Sequence, residues 1–325
     1  MNLHTGLAPH YRRSDSLRSM MLDVLVPLAL LLILPVIYNG FRPVIMVLMT
    51  AAVCVFTEIV CSLFAGKEIN ITELSSVVTG VIIAMLMPVN APLWLPCVAG
   101  IFAIAVAKMP FGGTGHTPFN PAAAGVAFAI LSWPELMFSF RDPQSTVLLP
   151  LFGDVDVPLA SSSASLMHQG ARPTGDPAVM LLGNVAGPLG ATAIAVLLAC
   201  LLYLLFRRAA RWEIPVCFLS AAALFAAVFP RISGTRLESV LYEFLAGSLV
   251  FAAVFMISEP STAPKTSLAR CLYGALGGII AMCFRAFGVY EEGVVFAILL
   301  VNTLEPALDR LSLKLIVSGG ERRGK

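Results

Sequence analysis

Gly125-Val126-Ala127-Phe128-Ala129-Ile130-Leu131 returns later in the chain as Gly293-Val294-Val295-Phe296-Ala297-Ile298-Leu299, changed only where Val295 replaces Ala127. Apolar composition produces chance matches of this length, so the placement of the two copies carries more than their identity. Each lies in the last hydrophobic segment of one half of the chain. A duplicated membrane protein has that arrangement, and duplicated membrane folds commonly hold their site between the repeats.

Composition fixes the class. The 325 residues are 58% hydrophobic and 12% charged, with a mean hydropathy of +0.88. A soluble domain carries about twice that charge. A helix needs about 20 apolar residues to cross the hydrocarbon core. Stretches of that kind cover 20–38, 43–65, 73–89, 92–108, 121–140, 178–206, 213–230, 238–258, 268–287 and 290–309. Apolar residues run continuously rather than alternating, which argues against a β-barrel. The reading is an all-α polytopic membrane protein of about ten transmembrane helices. The first stretch follows charged residues, as a signal peptide does. It contains Asp23, lacks a small-x-small cleavage site and is long enough to span, so it reads as a retained helix.

Lys and Arg set the orientation. With the N-terminus inside, the inner segments hold Arg12, Arg13, Arg18, Lys67, Lys108, Arg207, Arg208, Arg211, Lys265, Arg270, Arg310, Lys314, Arg322, Arg323 and Lys325. The outer segments hold Arg42, Arg141, Arg172, Arg231, Arg236 and Arg285, so the count is fifteen against six and every Lys is inside. Ten crossings return the C-terminus to the same side. The expectation is a multi-pass membrane protein with both termini cytoplasmic. The net charge of +2 says little about partners, and no basic stripe interleaved with aromatics suggests nucleic acid. Cys54, Cys61, Cys97, Cys200, Cys217, Cys271 and Cys283 fall in or beside apolar segments without CxxC spacing. They read as small apolar side chains, and no metal site is expected.

Five stretches precede a long outer loop and five follow it. Five is odd, so similar halves enter the membrane from opposite sides as inverted repeats. The division is 1–140 for the first membrane repeat, 141–177 for the extracytoplasmic loop and 178–325 for the second repeat with its cytoplasmic tail. The loop is rich in Ser, Pro, Asp and Gly. Loops that long are functional or disordered, and a flexible linker between repeats is the plainer of the two readings.

Four features carry possible chemistry. The run from Lys108 to Pro121 holds Gly112, Gly113 and Gly115, which let backbone approach a ligand. Asn120 is a natural helix N-cap and Pro121 a natural first helical residue. An exposed helix start of that kind receives an electron-rich ring edge or anion, although a tight turn with an ordinary cap has the same sequence. On the cap alone, Asn120→Leu costs roughly 1 kcal/mol. Ser258-Glu259-Pro260-Ser261-Thr262-Ala263-Pro264-Lys265 is a polar, proline-broken stretch at the inner end of helix eight. Asp23, Glu58, Glu243 and Glu305 are acids inside helices, where an unpaired charge is expensive and a functional role is the default reading. Glu58 lies deepest; it serves a cation or proton path, or it bonds a neighbouring helix and locks packing. The glycines of helices six and nine are packing residues.

In this order the segments resemble the family of the D subunit of the Rnf complex and the homologous B subunit of the sodium-pumping NADH:quinone reductase. The residues that carry the likeness are Phe111-Gly112-Gly113-Thr114-Gly115-His116, Phe119-Asn120-Pro121-Ala122, Leu182-Gly183-Asn184-Val185-Ala186-Gly187, Ser258-Glu259-Pro260-Ser261-Thr262-Ala263, Tyr273-Gly274-Ala275-Leu276 and Tyr290-Glu291-Glu292-Gly293-Val294-Val295-Phe296-Ala297, with Asn302-Thr303-Leu304-Glu305-Pro306. The likeness spans nearly the whole chain. Its length is closer to the Rnf subunit, because the quinone-reductase homologue usually has a longer N-terminal extension. The resemblance implies a ten-helix inverted repeat of the urea-transporter type. It implies an FMN joined through a phosphoester to Thr in an outer Ser-Gly-Ala-Thr motif, and a non-covalent riboflavin near the inner Asn-Pro helix start. The riboflavin maps onto Asn120, Thr117 and Gly113. Ser-Gly-Ala-Thr itself is absent. In register stand Ser162-Ser163-Ala164-Ser165, with Leu159 where an Asp is usual. A serine hydroxyl forms the same phosphoester, so Ser165 is the expected FMN acceptor, on an exposed loop; Thr174 is a poorer one.

The function implied is a membrane subunit of a ferredoxin:NAD⁺ oxidoreductase complex that couples electron transfer to Na⁺ or H⁺ movement. The chain shows no nicotinamide or ferredoxin site, so partner subunits supply them and it is not catalytic alone. Its rivals are a solute channel or transporter on the same fold without a redox role, and a structural anchor for partner subunits.

Overall fold

The computed structural model describes residues 17–66, 73–145, 147, 149–153, 157–173 and 175–323, with side chains from 18 to 315. Arg12, Arg13, Lys67, Thr174 and Lys325 lie outside the described residues, as do the side chains of Arg322 and Arg323.

The first half contains α1 (Leu17–Asn39), α2 (Arg42–Phe64), α3 (Ser75–Met85), α4 (Trp94–Phe111) and α5 (Pro121–Ser132). Next come a short turn α6 (Pro134–Met137), a two-stranded pairing of β1 (Phe140–Arg141) with β2 (Leu159–Ala160), and the small helix α7 (Ser163–His168). The second half contains α8 (Pro177–Leu182), α9 (Ile194–Phe206), α10 (Glu213–Val228), α11 (Arg236–Leu245), α12 (Leu249–Met256), α13 (Ser267–Phe287) and α14 (Val294–Arg323). The protein is a helical, multi-pass membrane protein. Arg18–Asn39, Arg42–Phe64, Trp94–Phe111 and Ser267–Phe287 are each long and apolar enough to cross, and α11 with α12 makes a further span bent by 68°.

The apolar stretches are less continuous than their sequence suggests. The stretch 121–140 stops helically at Ser132, because Pro134 removes a donor and restricts Trp133. In 178–206 the helix ends at Gly183, whose φ of 89° suits glycine, and resumes only at Ile194. A Cβ at Gly183 would lie 2.9 Å from the Ala193 Cα, so the two sides of this break touch. In 238–258 the chain opens at Ala246, Gly247 and Ser248. Non-helical backbone at such depth is tolerated where protein covers it, and Leu245, Ala246, Ser248 and Leu249 are all buried.

Packing is close where glycine permits it. A Cβ on Gly125 would sit 2.5 Å from the Ala99 carbonyl, which fixes the α4–α5 approach. Gly274 and Gly278 do the same for α13 against α10, at the Ile214 and Phe218 carbonyls. Across the halves, α5 packs on α14 and α1 on α9. The two copies of the heptad therefore lie on contacting helices.

Two arginines tie the described part of the loop 141–177 to the bundle. Arg42, fully buried, donates to carbonyls of Val89 (2.9 Å), Ala91 (3.1 Å), Pro150 (2.9 Å) and Gly153 (3.2 Å). Arg141 reaches Asn39 Oδ1 (3.0 Å) and the Ser145 carbonyl (2.7 Å). A guanidinium carries five donors in a fixed fork, and here it satisfies carbonyls that no helix or strand satisfies.

Candidate functional site

The Gly-rich run ends α4 and delivers the chain to α5. Gly112, Gly113 and Gly115 have φ of 118°, 93° and 85°. Side chains rarely adopt these values, so the turn requires glycine here. Asn120 then caps α5: its Oδ1 accepts from the Ala123 N–H at 2.9 Å, and Pro121 occupies the first helical position. The same side chain also crosses the molecule. Its Nδ2 donates to the Met256 carbonyl at 2.9 Å, 136 residues away.

That carbonyl closes a π-helical turn, Ala252–Met256, inside α12. The Ile257 N–H reaches back to the Ala252 carbonyl at 2.9 Å. A π turn shifts the hydrogen-bond ladder and frees carbonyls for other donors, and such turns recur at functional sites. A second π turn, Ala103–Lys108, lies in α4 just before the Gly-rich run. Asn302 of α14 completes the link between halves. It accepts from the Asn120 N–H at 2.7 Å and donates to the Ile298 carbonyl (3.0 Å) and the Tyr273 hydroxyl (2.5 Å). Asn120 and Tyr273 are buried.

Asn120 lines a narrow cavity of about 40 Å³ with Ser75, Thr79, Ser258 and Glu259, walled by apolar residues of α1, α3, α9 and α12. Glu259 accepts from Ser261 Oγ at 2.9 Å, and burial pushes its carboxyl above the ordinary range. Beside the cavity, Lys108 is buried with its ammonium on Glu58 Oε1 (2.7 Å), Ser75 Oγ (2.5 Å) and Ser76 Oγ (2.8 Å). Ser75 Oγ also bonds Thr114 Oγ1 at 2.9 Å, tying the Gly-rich run to α3. Thr117 is buried and Gly113 faces open space, and neither lines the cavity.

Two of the other acids inside helices, Asp23 and Glu243, have cation partners. Asp23 pairs with Arg207 at 2.9 Å. Glu243 holds both Arg231 (2.5 Å) and Arg285 (2.9 Å), and Arg285 also donates to the Ala246 carbonyl at 2.5 Å. Glu305 sits near Asp309. Sequence reasoning counted Lys108 and Arg285 as loop charges, whereas they are 2% and 0% exposed. An acid at membrane depth without a partner was the available signal for looking for a buried cation.

Ser165 also differs from expectation. It is buried at 7% exposure on α7 rather than exposed on a loop. Ser162 caps α7 by accepting from the Ser165 N–H (2.9 Å) and donates to Glu291 Oε2 (3.2 Å). His168 Nδ1 lies 3.4 Å from the Arg285 carbonyl. The two contacts hold α7 against the last turn of α13 and the segment that joins α13 to α14. Among the cysteines, Cys54 and Cys200 are buried and the other five are half-buried.

A multi-pass helical membrane protein whose two halves meet at a capped helix start is the class that fold and site define. Its family follows from comparison with known proteins. The family model described as NQR2, RnfD, RnfE matches residues 4–317, and the chain belongs to that family. The D subunit of the Na(+)-translocating ferredoxin:NAD(+) oxidoreductase complex of Acetobacterium woodii is 31% identical, over 97% of this chain and 95% of its own length. The D subunit of the ion-translocating oxidoreductase complex of Halorhodospira halophila is 30% identical, over 93% and 91%. The D subunit of the proton-translocating ferredoxin:NAD(+) oxidoreductase complex of Clostridium ljungdahlii is 28% identical, over 94% and 93%.

Proposed function

We propose that this chain is the D-type membrane subunit of an ion-translocating ferredoxin:NAD⁺ oxidoreductase, working only within its complex. The observation that carries the reading is a family match over 4–317 together with relatives that are each the D subunit of an ion-translocating oxidoreductase complex. Relatives of similar identity are named for sodium and for protons, so the transported ion is written as Na⁺ or H⁺. The proposed topology is ten crossings in two inverted repeats, in the bacterial inner membrane with both termini cytoplasmic. The heptad copies on contacting helices support it, as does a buried cation in the fourth apolar stretch of each half, 92–108 and 268–287. Lys108 bonds to α3 and Arg285 to the break before α12, each within the third apolar stretch of its half, 73–89 and 238–258.

The chain's proposed contribution is to hold flavin at both faces. A flavin supplies one- and two-electron chemistry, and the protein sets its position and potential. At the inner face, the hydroxyls of Ser75, Thr79 and Ser258 beside the Asn120 cap suit an uncharged ring edge. Drug-sized ligands fill pockets of roughly 300–1,000 Å³. A cavity of about 40 Å³ is closed by comparison, so binding requires its apolar walls to part. At the outer face, Ser165 needs α7 to lift from the 288–292 segment before its hydroxyl meets a transferase. Glu58, held by Lys108 beside the inner cavity, is the proposed acid of an ion path. The test is the flavin content of the complex expressed with its native transferase. Covalent flavin fluorescence that survives denaturation in wild type and is lost in Ser165→Ala supports the outer site. A subunit without flavin absorption overturns the redox role and leaves a channel or an anchor.

A further inference from the structure

The end of the bundle where α1 begins carries a second, larger cavity of about 380 Å³. Its walls are the first turns of α1 (Ser19, Met20, Asp23), the chain after α9 (Arg207 to Arg211) and the segment from Ser258 to Arg270. Five cations line it, namely Arg207, Arg208, Arg211, Lys265 and Arg270, against the single carboxylate of Asp23. That carboxylate is already engaged by Arg207 at 2.9 Å. Arg270 is held by Glu213 at 3.2 Å and donates to the carbonyls of Pro264 and Lys265, so its position is fixed. With Arg207 and Arg270 paired, Arg208, Arg211 and Lys265 remain, Lys265 lying near Glu305 and donating its backbone N–H to Asp309, so the cavity keeps a net positive charge concentrated on Arg208 and Arg211.

Arg208 adds an independent observation. It has a φ of 57°, one of two non-glycine residues with positive φ among the described residues. The Ala209 N–H bonds the Leu204 carbonyl (3.0 Å) and the Arg208 N–H the Leu205 carbonyl (3.1 Å). This is the left-handed helix ending that normally takes glycine, because a Cβ is strained there. The ends of α1, α2 and α8 do use glycine in this conformation, at Gly40, Gly66 and Gly183. At α9 the chain places an exposed guanidinium on the strained position instead, at the lip of the cationic cavity.

We propose that this cavity binds the phosphodiester headgroup of an anionic membrane lipid. The depth fits: the cavity opens at the first turns of a helix long enough to span, where headgroups lie. The chemistry fits as well, since a guanidinium fork matches phosphate oxygens and basic pockets between helix ends are established headgroup sites. Ala209, Ser258 and Pro260 line both this cavity and the Asn120 cavity. A seated headgroup therefore braces the wall that the two share.

The experiment uses the purified full-length chain in neutral detergent. Thermal unfolding and native mass spectrometry are run with phosphatidylglycerol, phosphatidylcholine or inorganic phosphate. Phosphatidylglycerol is expected to raise the melting temperature and to remain as a bound adduct, while phosphatidylcholine and inorganic phosphate do neither. Arg208→Gly is the decisive variant. It relieves the strained backbone, so the lipid-free protein melts at or above the wild-type temperature. Its affinity for phosphatidylglycerol drops about fivefold for the one cation removed, and Arg211→Ala drops by a similar factor. Equal stabilisation by phosphatidylcholine overturns the proposal. So does unchanged affinity in both variants. Stabilisation by inorganic phosphate alone also overturns it, assigning the cavity to a soluble phosphate compound.

Discussion

Replacing Asn120 separates two roles that one side chain combines. Its Oδ1 caps α5, and its Nδ2 bridges to Met256 in the other half of the chain. Loss of an N-cap costs roughly 1 kcal/mol. Loss of the bridge strips the Met256 carbonyl of its short donor, leaving only a long bond from the Glu259 N–H at 3.4 Å. A buried polar group left without its partner costs about 1–3 kcal/mol. Asn120→Ala is therefore expected to cost about 2–4 kcal/mol, well above the figure that the cap alone supplies. Asn120→Ser keeps a good cap and loses the bridge, so it falls between wild type and Ala. Asn120→Asp keeps the cap but turns an acceptor toward the Met256 carbonyl, and is expected to be less stable than Ser. Equilibrium unfolding in mixed micelles gives the order. A Ser variant as stable as wild type, with Ala only about 1 kcal/mol lower, refutes the bridge and with it the claim that Asn120 ties the halves together.

Arg285→Met leaves Glu243 with Arg231 alone and removes the donor to the Ala246 carbonyl. Breaking a buried pair costs about 3–5 kcal/mol, so this variant is expected to melt far below wild type or fail to accumulate, and a loss under about 1 kcal/mol counts against a structural role for the cluster. Gly125→Ala drives a Cβ to 2.5 Å from the Ala99 carbonyl. Overpacking of that kind costs about 1–3 kcal/mol, and a thermal melt unchanged from wild type would show that α4 and α5 move apart freely. Gln144→Cys, at an exposed position of the outer loop, is expected to react with an impermeant maleimide on intact cells; reaction only after permeabilisation reverses the proposed orientation.

What could be read in the sequence was local. The Asn-Pro helix start was legible because a cap and its first helical residue are neighbours, and the structure places Asn120 in that role. The polar stretch after residue 257 was legible as the place where apolar periodicity stops. The Gly-rich run announced positive φ, which the chain uses at Gly112, Gly113 and Gly115. The partners were not legible. Lys108 meets Glu58 across 50 residues and Arg285 meets Glu243 across 42, and nothing in the local pattern selects these pairs over others. The break between Ala246 and Ser248 was hidden for a related reason. Its backbone groups are satisfied by Arg285 and Glu292, both remote in sequence, so the stretch remained apolar enough to pass as one helix. Ser165 is buried on a small helix whose cap, Ser162, bonds Glu291, 129 residues away, and no local pattern announces that contact.

Those buried cations also change how the charge asymmetry is weighed. The positive-inside rule concerns Lys and Arg held in loops near the membrane ends. Lys108, Arg42, Arg231 and Arg285 are instead enclosed by the folded chain, at exposures of 2%, 0%, 10% and 0%, and bonded to carboxylates or carbonyls. Nine of the fifteen inner charges and all six outer ones have described side chains, and setting aside Lys108 from the nine and the three arginines from the six leaves eight against three. Half of the charges assigned to the outer side are enclosed, against Lys108 and, at 16% exposure, Arg270 among the nine described on the inner side. An arginine on the outer face therefore is not evidence of weak topology here, since Arg42 and Arg285 each satisfy backbone carbonyls that the loop and the helix break leave exposed. The three that remain are Arg141, Arg172 and Arg236, and two of these also have partners. Arg141 holds the loop carbonyls of Ser145 and Val147, and Arg172 stacks over Tyr242 at 5.4 Å. The structural demand for donors thus accounts for much of the positive charge assigned to the outer side, and the excess that remains on the inner side is in line with the proposed orientation.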